Sequence, residues 1–156
     1  MIVSIKELKI TEKRYNEIID LYNELSLIDS RKLIDKKILT YPLLIKIILG
    51  LPKKHNIYLY IDENDDIIGG ITLLIEQKLI HNGGRVGHIE DFVVSENYRE
   101  KGIGGLLLNY VVNMSERAKC YKCILDCSTL LEGFYTKKGF TKKGSYMAKY
   151  FKYNVI

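Results

Sequence analysis

Between residues 85 and 127 the hydrophobic period of the chain changes twice. "RVGHIEDFVV" (85–94) has the Val, Ile and Phe content of a strand, Gly104 to Ala118 repeats at three and four residues as an amphipathic helix, and "KCILDC" (122–127) is again a short apolar strand. Two strands joined through a helix make a βαβ unit, so they lie parallel and their crossover is right-handed. This unit fixes the middle of a sheet, and the rest of the chain must build around it.

Upstream the spacing predicts a strand in "IVSIKEL" (2–8). A helix follows over 14–25, with Tyr15, Ile18, Ile19, Tyr22 and Leu25 on one stripe. Residues 31–51 are periodic too, with Pro42 between two short helices. "NIYLYI" (56–61) and "ITLLIEQKLI" (71–80) read as strands separated by the turn chemistry of "ENDDIIGG". "HNGG" (81–84) turns the chain once more, so strands two to four form an antiparallel meander. Downstream the pattern predicts a short helix over 131–138 stopped by Gly139, and a final strand from Ser145 to Tyr153. The expected fold is a mixed α/β (α+β) sheet, mostly antiparallel with a central parallel pair and flanking helices. With 156 residues, 47% of them hydrophobic, residues 1–156 form a single domain.

No apolar stretch is long enough to cross a bilayer and the N-terminus lacks a signal-peptide pattern, so a soluble, cytoplasmic protein is expected. The three cysteines, Cys120, Cys123 and Cys127, lack the companions of a four-ligand zinc site. They are read as structural thiols in a reducing compartment, and no metal is expected. A net charge of +5 and a pI near 9.0 point to an anionic partner. The lysine pairs at 53–54, 137–138 and 142–143 are scattered rather than interleaved with aromatics on one face, which argues against nucleic acid.

"NYREKGIGG" (97–105) stands directly before the central helix. Glycines there let successive backbone N–H groups converge where the helix N-terminus adds about half a positive charge, a ready site for a diphosphate. Arg99 and Lys101 add charge at its rim. The spacing is neither GxxxxGK[ST] nor GxGxxG with a following acid, which disfavours nucleoside triphosphatases and dinucleotide folds.

Arg99-x-x-Gly102-x-Gly104 resembles the R/Q-x-x-G-x-G/A signature of the GNAT family of N-acetyltransferases, whose loop holds the pyrophosphate of acetyl-CoA. "IEQKLIH", "GHIEDFVV", "CYKCILDC" and "GFYTKKGF", in this order, resemble the members that acetylate glucosamine 6-phosphate; the likeness is dense from Leu73 to Phe140. It implies the GNAT fold, acetyl-CoA as co-substrate without metal, an amino-sugar phosphate as acceptor, and a homodimer with neither nucleic acid nor membrane as partner.

By this resemblance the donor is held by Phe92, Val93, Val94, Arg99, Glu100, Lys101, Gly102, Ile103, Gly104, Gly105 and Tyr135. Strand 85–94 is expected to splay from its parallel neighbour, presenting backbone groups of Phe92, Val93 and Val94 to the pantetheine arm, and one N–H there would stabilise an oxyanion. The acceptor falls to Ser26, Lys78, His81, Glu90, Asp91, Asp126 and Cys127. Adjacent on a strand, Glu90 and Asp91 are expected to face opposite ways. Asp126, an acid in an apolar strand, is costly unless partnered or used, and is expected at the sugar amine as the orienting carboxylate, ahead of Glu90. Tyr135 is expected to stabilise or protonate the departing thiolate.

Three positions depart from the family pattern. Ser26 replaces a threonine, Leu131 an asparagine near the coenzyme, and Tyr150 the arginine that a partner subunit contributes to phosphate binding. Lys149 faces the other side of its strand, which leaves Lys142 or Lys143 as substitute anchors. Other readings are a GNAT enzyme acting on another small amine or a peptide N-terminus, a nucleic-acid-binding module, and a non-catalytic acetyl-CoA sensor.

Overall fold

The computed structural model describes residues 1–25, 34–149 and 151. They form two compact units, Met1–Ile124 and Leu125–Ile156.

The first unit is built on a five-stranded sheet in the order β1-β2-β3-β4-β5: β1 Ile2–Ser4, β2 His55–Ile61, β3 Ile67–Gln77, β4 Arg85–Val94 and β5 Cys120–Ile124. Strands β1 to β4 pair antiparallel, and β4 pairs β5 in parallel, so the meander and the βαβ unit are both present. The mixed sheet agrees with the expected class.

Helix α1 (Glu12–Asn23) starts where the Thr11 side chain accepts the Arg14 N–H at 3.3 Å. Its apolar stripe buries Tyr15, Ile18, Ile19 and Leu21 against Leu59, Ile61, Ile67 and Val93, one core of the unit. Arg14 is buried as well, because its guanidinium donates to Glu17 and to the carbonyl of Asp65, tying α1 to the β2–β3 turn. Asp62 shapes that turn by accepting the N–H groups of Asn64 and Asp66, each at 2.9 Å.

Helix α2 is one element, Tyr41–Gly50, with Pro42 in its first turn, where the missing N–H would have had no intrahelical partner. Pro42 therefore opens a helix instead of dividing two; residues 36–39 form a turn, and 31–33 lie outside the described residues. Ile80–Gly83 forms a distorted turn, α3, in which His81 and Asn82 are left-handed (φ +53° and +55°).

Helix α4 (Ile103–Arg117) buries Ile103, Leu107, Leu108, Val111 and Ser115, the helical spacing read from the sequence. It crosses the sheet closely at Gly87, where an added Cβ would stand 2.5 Å from the Ser115 hydroxyl. That hydroxyl donates to the Val111 carbonyl at 2.9 Å and so satisfies itself in the core.

The second unit has little regular structure: a 3-10 turn (Thr129–Leu131) and helix α5 (Glu132–Thr136), shorter than the expected 131–138. Gly139 is left-handed (φ +87°), so the chain does turn there, but the helix has already ended at Lys137. Residues 145–149 and 151 form no strand, and residues 150, 152 and 153 of the expected segment lie outside the described residues.

Candidate functional site

The C-terminal end of β4 departs from a regular ladder on both sides. Its parallel pairing with β5 runs from Arg85↔Cys120 to His88↔Ile124, where β5 ends, so Phe92, Val93 and Val94 lie beyond the stretch paired with β5. On the β3 side Gly70 faces Val93 and Thr72 faces Glu90, so Asp91 and Phe92 together oppose Ile71. This is a β-bulge, and Asp91 carries its strain with φ +45°.

The bulge interrupts β4 at Asp91, directly after Glu90. Asp91 acts electrostatically on Tyr22 of α1, whose hydroxyl is buried. Thr72, the cross-strand partner of Glu90, touches the same hydroxyl electrostatically. An extra residue shifts the phase of the strand, which is why side-by-side carboxylates need not point apart. Desolvation holds the Asp91 carboxyl above its ordinary pKa, against a smaller downward pull from His55. Burial, then the Asp91 charge, push the Tyr22 phenol up, with Thr72 opposing.

A short 3-10 turn, Glu96–Tyr98, leads into the glycine loop. Gly102 is the N-cap of α4 and is left-handed (φ +82°), a conformation that costs an L-residue roughly 1 kcal/mol. No side chain caps the helix. The N–H groups of its first turn, on Ile103, Gly104 and Gly105, have no acceptor four residues back within the helix and point outward from its start. Glu100 is also left-handed (φ +62°), and the Lys101 ammonium sits 4.8 Å from the centre of the Tyr98 ring. Arg99 donates through Nε to the Val94 carbonyl at 3.0 Å and pairs with Glu24. The loop thus leads into a helix start that no side chain caps.

Two of the candidate acceptor contacts, Lys78 and His81, lie at the other end of β3; the resemblance implies that they touch the sugar phosphate. The Lys78 ammonium is bound to Glu76 at 2.5 Å, and the second oxygen of Glu76 takes His88 Nε2 at the same distance. Lys78, then His88, hold the Glu76 carboxyl below its ordinary pKa. Sequence reading passed over Glu76, although its spacing of two from Lys78 puts both on one face of the strand. His81, in its left-handed turn, lies against Tyr121 with ring centres 4.2 Å apart. Ser26 lies outside the described residues.

Asp126, Cys127 and Tyr135 belong to the second unit. Strand β5 ends at Ile124, so Asp126 is an exposed residue past the strand, not an acid inside a buried one, and its sequence context carries no burial cost. Cys127 is likewise exposed, while Cys120 and Cys123 are half-buried free thiols whose pKa desolvation raises. Tyr135 is buried, in edge-on contact with Phe134 at 5.1 Å and Phe140 at 6.0 Å. Burial foremost, with the charges of Cys127 and Asp126, raises its phenol to about 12. Leu131 is 43% exposed. The Lys142 ammonium bonds Glu132 at 2.7 Å, and Lys149 lies beside the Phe151 ring. Tyr150 is outside the described residues. Among the described residues no group of His, Cys, Asp or Glu is assembled that could hold a metal ion, and no helix is long and apolar enough to cross a membrane.

A parallel pair that ends at His88, a bulge further along β4 and an uncapped helix start behind R-x-x-G-x-G define a class. The profile of the Acetyltransferase (GNAT) family matches residues 16–140, and the chain belongs to that family. A probable glucosamine 6-phosphate N-acetyltransferase of Oryza sativa subsp. japonica is 44% identical over 79 residues, 51% of this chain and 48% of the relative. The glucosamine 6-phosphate N-acetyltransferase of Schizosaccharomyces pombe is 36% identical over 94 residues, 60% of this chain and 85% of the relative. The chain spans about half the length of the rice and Dictyostelium discoideum relatives it matches. Among solved structures, glucosamine-6-phosphate N-acetyltransferase from Arabidopsis thaliana superposes with a TM-score of 0.80 at 28% identity, over 97% of this chain and 98% of that one.

Proposed function

We propose that this chain transfers the acetyl group of acetyl-CoA to the amine of D-glucosamine 6-phosphate, giving N-acetylglucosamine 6-phosphate and coenzyme A, by direct attack in a ternary complex. One observation carries the reading. Residues 16–140, which match the Acetyltransferase (GNAT) family, contain the bulged β4 and the uncapped start of α4, the two features that acetyl transfer needs for its donor, and relatives named glucosamine 6-phosphate N-acetyltransferases are 36% and 44% identical over 94 and 79 residues of the chain. Residues 1–156 act in this reading as a single acetyltransferase domain, and two copies pair as a homodimer.

The chemistry follows from the groups present. The diphosphate of the donor lies on the N–H groups of the first turn of α4, with Arg99 and Lys101 at its edge; Glu100 and Ile103 contribute backbone. The pantetheine arm runs along Phe92, Val93 and Val94, and an N–H of the bulge polarises the thioester carbonyl. The sugar amine attacks that carbonyl carbon, the C–S bond breaks, and the amine proton passes to a carboxylate of the set Asp126, Glu90 and Asp91, directly or through water. Such a base contributes on the order of 10²–10⁴-fold, and alignment of the two substrates supplies the rest.

Tyr135 serves the departing sulfur. A phenol at about 12 stays protonated at neutral pH and so keeps its proton to donate. A thiol of ordinary pKa near 8.5 is the stronger acid, so outright transfer from Tyr135 is uphill by on the order of a thousandfold. The phenol therefore stabilises the thiolate by hydrogen bonding. Lys78 and His81 take the sugar phosphate, which must compete with Glu76 for the Lys78 ammonium; Ser26 and Cys127 complete the acceptor contacts.

A thiol-release assay with acetyl-CoA and a panel of amines tests this. Turnover of glucosamine 6-phosphate well above glucosamine, polyamines and peptide N-termini is expected. No turnover of the sugar phosphate beside good turnover of another amine would overturn the acceptor, and no thiol release with any amine would overturn the enzyme.

A further inference from the structure

Helix α1 ends on Glu24, and the carboxylate of Glu24 serves the connection between β4 and α4, not its own helix. Oε1 accepts from the Ser95 hydroxyl at 2.9 Å. Oε2 accepts from the Glu96 N–H at 2.7 Å and stands 3.4 Å from the Arg99 guanidinium. These contacts span 71 to 75 positions of sequence. The same guanidinium donates to the carbonyl of Val94, the last residue of the bulged strand. One carboxylate thus fixes both backbone and side chain over the residues that run into the glycine loop.

A negative charge beside a loop that receives a diphosphate opposes the ligand, so a carboxylate here needs a compensating effect. Ordering is that effect. A loop whose N–H groups must converge loses less conformational entropy on binding when its entry is already held. We propose that Glu24 is a positioning residue for the donor loop: through Ser95 and Glu96 it sets the backbone leading to Gly102, and it holds Arg99 at the rim until the diphosphate takes the guanidinium. This rests on the reading of that loop as the coenzyme A site.

The two effects separate by substitution. Glu24→Gln keeps an oxygen for the Glu96 N–H, and its amide NH2 can donate to the Ser95 hydroxyl, while discharging the pair with Arg99; Glu24→Ala removes both effects. Calorimetric titration of the full chain with coenzyme A, with KM values for acetyl-CoA and glucosamine 6-phosphate, reads the difference. Losing charge-assisted hydrogen bonds to an ordered loop predicts that Glu24→Ala weakens coenzyme A about tenfold and raises the acetyl-CoA KM in parallel. The acceptor KM stays within about twofold, and Glu24→Gln binds coenzyme A at least as well as about threefold below the native chain. Should Glu24→Ala not fold, Ser95→Ala, which deletes one of the donors, is expected to weaken coenzyme A by about threefold.

Native-like coenzyme A binding by Glu24→Ala, or by Ser95→Ala in its place, would overturn the role. So would a Glu24→Gln protein as weak as the alanine variant, or an acceptor KM rising in step with that of acetyl-CoA. A native chain that binds no coenzyme A would instead remove the donor-site reading, and this role with it.

Discussion

The β3-β4-α4 region and the segment after Leu125 are both assigned to one reaction, yet they are held by different means. In the first, backbone does the work: ladder pairing, a bulge, a left-handed Gly102 and a helix start, locked over Gly87 by a helix packed at contact distance. In the second, a five-residue helix and three aromatic rings, Phe134, Tyr135 and Phe140, carry most of the order, and Asp126 and Cys127 are exposed. A donor with fixed phosphates suits a site made of main chain. Asp126, Cys127 and Tyr135, which the proposed reading sets at the reacting atoms, act through side chains and stand on a less regular frame.

The largest expected effect that would break this comparison is at Gly87. Gly87→Val places a branched side chain where even a Cβ would lie 2.5 Å from Ser115 Oγ. It should cost about 3 kcal/mol or more, read as a lower denaturant midpoint, and a loss below about 1 kcal/mol would show that α4 is not rigidly seated.

Next is Tyr135→Phe. It should lower kcat by about a hundredfold while leaving the coenzyme A dissociation constant within about threefold, because only the leaving sulfur loses its donor. The pH dependence has a definite sign. A phenol raised in the folded state from 10 to about 12 adds stability that is intact below pH 10 and lost as pH climbs from 10 toward 12. The difference in alkaline unfolding between native chain and variant should appear in that window and vanish below it.

Smaller and of opposite sign is Tyr22→Phe. The buried Tyr22 hydroxyl lies near Thr72 and Asp91 but makes no hydrogen bond of good geometry among the described residues. Removing it should raise stability by up to about 1 kcal/mol, and a comparable loss would reveal an unrecognised acceptor. Smallest is Gly133→Ala in α5, where an added Cβ meets nothing within 4 Å. A gain of about 0.5 kcal/mol from helix propensity is expected, and a loss above about 1 kcal/mol would mean that the second unit packs as tightly as the first.

The elements of the first unit were legible because their signals are local. The apolar stripes of α1 and α4 and the alternation in β2 to β4 are each written within a dozen residues, and β4 was bounded correctly at 85–94. The glycine loop was legible for the same reason. Its residues are consecutive, so their spacing is their geometry. Asp126 was misplaced because "ILDC" has the composition of a strand while pairing with β4 ends at Ile124, and a ladder's length depends on the partner, not on the strand alone. The expected strand over 145–153 was read on the same compositional ground, and the described residues 145–149 pair with nothing in the sheet.

By itself, then, the sequence determined the meander, the parallel unit and the glycine loop, since period and spacing translate directly into backbone form, while the acetyltransferase reading came from the resemblance of R-x-x-G-x-G to the GNAT signature. Tertiary structure alone decided the bulge that re-aims Asp91, the capture of Lys78 by Glu76, the exposure of Asp126 and the reach of Glu24 to Arg99. Each of these depends on register or on residues far apart in the chain. The energy of such contacts is settled only when the sheet and its helices have packed.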